Sequence, residues 1–230
     1  MVLKPHNTSL TFAGGVGDPS AVRNGDYLYV FYGEYGYPGI YSAKTYNPSV
    51  EWSGQCISIA RIPLSELDNP TGKAQRWNGE SFSAAYNDAG KPVKSLQIPE
   101  EDGGGAASVA NKMFHWGPSV SWNTHLNCWV MLMGRVEGAL WKGSNLYISF
   151  NVNEDLGAGS NSQEWSKPEL LVSRPGHTLW YPSLQPLNTP EDIKNKYTCL
   201  KLGKKARLFF KDMEGDRHEY LSEYIVEFEK

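Results

Sequence analysis

The sequence predicts an all-β fold assembled from repeated antiparallel units, and three observations carry that reading. The chain of 230 residues is rich in aromatics (8 Trp, 13 Tyr, 8 Phe), and 23 Gly and 14 Pro break it often. Short aromatic or β-branched runs bounded by Gly, Pro, Asn and Asp are strand signals. No window sustains a 3.6-residue apolar period, so little helix is expected. A Pro-Ser pair opens a strand three times, at Pro19-Ser20, Pro118-Ser119 and Pro182-Ser183, and each is followed by a turn and a strongly apolar strand. Repeats that vary only in their loops are supersecondary units stacked side by side. Three or four aromatic-rich strands per unit suit the blades of a β-propeller better than the competing β-sandwich.

Taken in order, Ser9–Phe12 is a possible strand in the lead-in and Gly14-Gly15 a flexible join. The first unit, about 17–85, opens at Gly17-Asp18-Pro19-Ser20, turns at Gly25-Asp26 and continues in Tyr27–Tyr32, apolar on both faces. Residues 35–54 read as a long loop, Cys56–Ile62 as a third strand and Pro63–Leu67 as a helical turn, with an outer edge beginning at Trp77. Residues 86–112 are polar and Gly-rich and read as a crossing to the next unit. Gly103-Gly104-Gly105 lacks the Gly-Lys-Ser/Thr continuation of a phosphate loop. The second unit, about 113–173, holds strands ending at Met133, at Leu146–Phe150 and at Glu169–Val172. The third, about 177–230, repeats the plan around a polar insertion at 188–197 and ends in the alternating, half-exposed strand Tyr220–Phe228.

Bulk properties narrow the function. A net charge of -3 without a basic run gives no electrostatic case for nucleic acid. No apolar run reaches membrane length, and Val2–His6 lacks a signal-peptide core, so the chain as it stands reads as cytoplasmic, or as secreted if an N-terminal part is missing. Cys56, Cys128 and Cys199 lie far apart and read as three buried thiols rather than a disulfide or metal framework. No cofactor is implied.

Among the three openings, Asp18 stands alone: Gly117 and Tyr181 replace it in the other copies. It is either a carboxylate facing a ligand or a turn residue capping backbone N–H groups. Glu34 ends the second strand of the first unit, at the place of Arg135 in the second and of Asp212 in the third, so charges gather at one strand end. Glu34 or Glu137 then serves as general acid, and Arg135 orients a carboxylate or a ligand hydroxyl. Trp116, Trp180 and Tyr181 flank the Pro-Ser openings, with His115 and His177 just upstream. Flat aromatic faces suit the C–H face of a sugar and histidines suit its hydroxyls, although tryptophans between blades also serve as packing. His115, His177 and Asp18 have no diagnostic metal-ligand spacing.

Asp-Pro-Ser followed by a Gly-Asp turn and Tyr-Leu-Tyr-Val-Phe-Tyr resembles the opening of a blade in five-bladed β-propeller glycosidases of the arabinanase/xylosidase type, glycoside hydrolase family 43-like. Trp116-Gly117-Pro118-Ser119-Val120 resembles the second-blade motif of that group. Asn153-Glu154-Asp155-Leu156 with Trp165-Ser166-Lys167-Pro168 resembles a phrase of glycosidase and sialidase propellers. The resemblance implies a glycoside hydrolase acting on a polysaccharide or oligosaccharide, with Asp18 as catalytic base on an inner strand. Two carboxyl groups would then flank the scissile bond, about 5–5.5 Å apart for retention or about 6.5–9.5 Å for inversion. Ser119 stands where the second acidic residue of the group belongs, and the Glu-Gly-Pro acid motif is absent, which keeps a non-catalytic carbohydrate- or protein-binding module as the alternative. Three blade markers are visible, so a partial or divergent propeller, open to self-association as a homo-oligomer, is also expected.

Overall fold

A computed structural model describes residues 17–35, 55–86, 114–136, 141–215 and 218–230, together with the single positions 3, 93 and 96. The first sheet is a five-stranded meander, β1 (Gly17–Asn24), β2 (Tyr27–Tyr35), β3 (Gln55–Pro63), β4 (Gln75–Trp77) and β5 (Phe82–Ala85), with one helical turn at Leu64–Glu66. The second holds β6 (Phe114–Asn123), β7 (Cys128–Val136), β8 (Asn145–Asn151) and β9 (Glu169–Ser173). The third holds β10 (His177–Gln185), β12 (Lys205–Glu214) and β13 (His218–Glu227). The insertion in this third sheet forms a short helix, α1 (Pro190–Lys194), started by a capping box in which Thr189 Oγ1 accepts from the Asp192 N–H. It then returns a two-residue strand, β11 (Lys201–Leu202), parallel to the free edge of β6.

The three sheets stack face to face, and β7 shows why its sequence is apolar throughout. Trp129, Met131 and Met133 enter a core shared with Phe31, Ile57 and Ile59 of the first sheet. Their neighbours Cys128, Val130 and Leu132 enter a second core with Leu179, Leu208 and Phe210 of the third. Strand side chains alternate between faces, so a strand with a core on each side has no polar face to spare. The first two sheets are also stapled by backbone acceptors. Asn24 donates to the Glu154 carbonyl (3.0 Å) and accepts from the Leu156 N–H (2.9 Å), and the Trp129 indole donates to the same Glu154 carbonyl (3.1 Å). The Asp-Leu…Trp-Ser phrase is therefore architectural. Leu156 and Trp165 are core residues, and the Asp155 carboxylate accepts from the Gly157 N–H.

Several expectations need correction. Cys199 is exposed, unlike Cys56 and Cys128, because it falls in the turn before β11 rather than in a strand between sheets. The units also differ in strand number, five in the first and three in the last, and the third unit's insertion lends its strand to the second sheet. The strand at Ser9–Phe12, the loop over 36–54 and Gly103-Gly104-Gly105 lie outside the described residues. So does the rest of the 86–112 crossing, apart from Tyr86 and the buried Val93 and Leu96.

Candidate functional site

The Pro-Ser openings converge because β1 and β10 both lie beside β6. Ser20 Oγ accepts from the Val120 N–H at 3.0 Å, joining the first two directly. Each opening is a β-bulge: the register slips between Gly17 and Ser20, between Trp116 and Ser119, and between Trp180 and Ser183. The residue before each proline takes a left-handed backbone conformation, with φ of 48° at Asp18, 58° at Gly117 and 54° at Tyr181. Glycine is the ordinary occupant of such a bulge. Asp visits the region with moderate ease, whereas a bulky aromatic is an outlier there. The chain thus holds two side chains in a costly conformation at equivalent places, a pattern that concentrates at functional sites.

The environment of Asp18 bears on its two sequence readings. Among the described residues no backbone N–H and no side chain donates to its carboxylate. It keeps contact with solvent, yet partial burial raises its carboxyl above the ordinary value. Its charge reaches Tyr181, whose phenol is pushed up first by burial and then by Asp18, against the opposing pull of Lys211.

An aromatic wall stands beside this pair. Trp116 meets Tyr181 (centroids 5.5 Å) and Trp180 (5.8 Å) edge to face and tilts against Trp141 (6.5 Å). The Trp180 indole donates to the Trp141 carbonyl at 2.9 Å, and Lys211 Nζ lies 5.3 Å from the Trp180 ring centre. Gly134 makes room for Trp116: a Cβ there would come within 3.1 Å of the indole nitrogen. That nitrogen is buried without a hydrogen-bond partner.

On the opposite face of β6, His115 is buried with Nδ1 2.8 Å from the Leu96 carbonyl. A carbonyl only accepts, so Nδ1 carries the proton and the partnerless Nε2 presents its lone pair. Its ring meets Tyr147 (5.0 Å), whose hydroxyl accepts from Arg135 Nη1 at 3.1 Å. Burial chiefly, and the Arg135 charge in addition, lower the His115 pKa to about 4, against the opposing bond to Leu96. The unfolded imidazole titrates near 6.5, so the unfolded chain binds the extra proton first as pH falls. Stability conferred by the neutral, buried ring is complete above about pH 6.5 and is lost towards about pH 4, reaching about 2 kcal/mol of loss at pH 5. Urea unfolding of wild type and His115→Gln at pH 7 and pH 5 checks this. The wild type should lose about 2 kcal/mol more than the variant, and equal losses would refute a neutral buried imidazole.

His177 belongs to a different arrangement. Its Nδ1 lies 2.8 Å from Asp212 Oδ1, while Arg174 Nη1 and Ser222 Oγ (3.1 Å) both donate to Asp212 Oδ2. Asp212 is fully buried. It shares with Glu34 and Arg135 the position two residues past the bulge partner, and is consumed by this network. The Glu34 side chain and all of Glu137 lie outside the described residues. Asp18, Trp116, Trp180 and Tyr181 are brought together. His115 with Arg135 forms a second group on the other face of β6, and His177 a third. Sequence reasoning missed Lys211, Tyr147 and Trp141. The first two alternate regularly along apolar strands, which gave no signal, while Trp141 sits at φ 53° in a loop without a Pro-Ser marker. Among the described residues no cluster of three or more His, Cys, Asp or Glu has a geometry that would hold a metal ion.

No protein-family model matches the chain, and no curated protein sequence does. Solved structures do. A GH62 hydrolase in complex with xylotriose superposes with a TM-score of 0.51 at 14% identity, covering 97% of this chain and 50% of its own. The fold is a β-propeller. The α-L-arabinofuranosidase of Podospora anserina in complex with cellotriose and the catalytic domain of the Coprinopsis cinerea GH62 α-L-arabinofuranosidase each give 0.49 at 12% identity, with the same coverage. The chain spans about half the length of each of these glycoside hydrolases. Membership in family 43 is not among the findings; the similarity is to GH62 structures and is one of fold.

Proposed function

We propose that this protein is a carbohydrate-active propeller of the glycoside hydrolase type, with Asp18 as the carboxylate that acts on the bound sugar. The observation that carries the reading is the state of Asp18. It is a solvent-facing carboxylate with a pKa raised by local desolvation, without a hydrogen-bond or ion-pair partner among the described residues, held in a strained bulge beside an aromatic wall. A base of this kind takes a proton from water, and its raised pKa moves the rising limb of the pH profile upward from where an ordinary aspartate would put it. Trp180 and Tyr181 keep exposed ring surface for a sugar with the buried Trp116 packed behind them, and the GH62 neighbour with xylotriose has the same fold. Glu34 and Glu137 are the proposed sources of the general acid, while His115 with Arg135 on the other face of β6, and His177 on Asp212, stand apart from this group.

A second reading, a propeller that binds carbohydrate without cleaving it, is favoured by one specific observation. The bulge positions equivalent to Asp18 hold Gly117 and Tyr181, and Asp212 is buried and committed. The experiment is a panel of aryl glycosides, arabinan, xylan, xylotriose and cellotriose, assayed for binding and turnover with wild type and Asp18→Asn. Loss of a general base predicts a fall in turnover of about 10²–10⁴-fold with binding retained. Turnover unchanged in Asp18→Asn removes Asp18 from the chemistry. Binding without turnover by the wild type establishes the second reading.

A further inference from the structure

Tyr181 lies in a left-handed conformation that a bulky residue adopts at a cost, and its side chain remains half exposed. Packing against Trp116 and Trp180 does not explain this, because an aromatic on a regular strand packs without the strain. The three bulges supply the missing context. Gly117, on the strand between β1 and β10, has no side chain, and a Cβ built there meets nothing within 4 Å. Gly117 is itself buried, so beyond its own chain neighbours it leaves an enclosed gap on β6, and β1 with the Asp18 bulge and β10 with the Tyr181 bulge both pack on that strand. The Tyr181 ring edge is fixed by Trp116 and Trp180 at 5.5 and 5.8 Å.

We infer that Tyr181 is the hydrogen-bond donor that works opposite Asp18: a ligand oxygen entering the gap at Gly117 accepts from Tyr181 Oη–H while Asp18 accepts a proton or hydrogen bond from the same ligand. The inference rests on the reading that Asp18 faces substrate. It assigns complementary roles, since a carboxylate only accepts and a phenol held neutral donates. The charged groups that act on Tyr181 are Asp18 and Lys211, and Lys211 is itself paired to Glu219 at 2.8 Å. Among the described residues the Asp18 charge is accordingly left without a committed cation.

Two measurements test this and separate it from the function proposed above. In the first, a sugar from the panel that the wild type binds is titrated against Tyr181→Phe and Gly117→Asn. Phe keeps the ring and its packing, so the melting temperature should stay put while affinity falls about ten-fold, the usual worth of one hydrogen bond to a ligand hydroxyl. Asn tolerates the left-handed backbone and fills the gap, so it should weaken binding at least as much. Wild-type affinity in Tyr181→Phe would overturn the assignment. In the second, tyrosinate absorbance is followed with rising pH. Asp18→Asn should lower the midpoint of one tyrosine, and that transition should be missing from Tyr181→Phe. If the wild type binds no sugar on the panel, the proposed function fails and this titration decides alone. A shifted midpoint sustains the Asp18–Tyr181 couple, and an unmoved one removes it.

Discussion

Asp212→Ala is expected to lower the unfolding free energy by about 3–5 kcal/mol, the cost of breaking a buried charge network by removing one partner. The carboxylate is fully buried and accepts from Arg174 and Ser222 and pairs with His177, so truncation strands three polar groups at once. It also opens a void beside Leu179, which faces Asp212 across the β10–β12 ladder. Asp212→Asn keeps the volume and loses the charge, and should cost less. Urea unfolding gives the free energies, and a fall in melting temperature of about 2–4 °C per kcal/mol is expected for a domain of this size. A loss below about 1 kcal/mol in Asp212→Ala would mean that the ion network is not a stabilising element of the third sheet. The same experiment bears on function, because a severe loss of stability with Asp18 untouched places Asp212 in the architecture.

Leu132→Ala should cost about 2–5 kcal/mol, the transfer and cavity penalty of a large-to-small change in a closed core. Leu132 has no exposed surface, and its β-strand is enclosed by sheets on both faces, which leaves little freedom to collapse around a void. The neighbouring Met131→Ala opens its cavity in the other core, between the first and second sheets. The two variants therefore report separately on the two sheet interfaces. Equilibrium unfolding read by tryptophan fluorescence checks both. A cost under about 1 kcal/mol for Leu132→Ala would show that the second and third sheets are not tightly joined there.

Much of the architecture was legible in particular residues. Pro19-Ser20, Pro118-Ser119 and Pro182-Ser183 fall on β1, β6 and β10 as a repeated phrase, but only the first stands at a strand start; the other two sit at bulges inside strands that begin at Phe114 and His177. The all-apolar run at Cys128–Met133 falls in a strand with a core on each face, whereas Tyr27–Tyr32 sends Tyr29 and Phe31 into one core and leaves Leu28 and Val30 half-buried on the other face. Less was legible in the site. Asp18 stood out as the carboxylate its siblings lack, while its want of a donor among the described residues required knowing what packs near it. Asp212 read as a strand-end charge and proved to be a buried acceptor, because its partners come from residues 174, 177 and 222 on separate segments. Tyr181 read as one more aromatic, since nothing local distinguishes a tyrosine on a regular strand from one turned into a bulge.

Side-chain alternation, turn residues and repeated phrases act over a few positions along the chain, so the strands, their pairing within each sheet and the all-β class follow from order alone. Which strands lie beside one another across sheets depends on how the apolar faces stack, and stacking is settled by cores whose members are a hundred or more residues apart. The bulges at Asp18, Gly117 and Tyr181 meet only because β1 and β10 pack on β6. The lone carboxylate was visible in the order of residues; its nearness to the Tyr181 bulge arises from that packing.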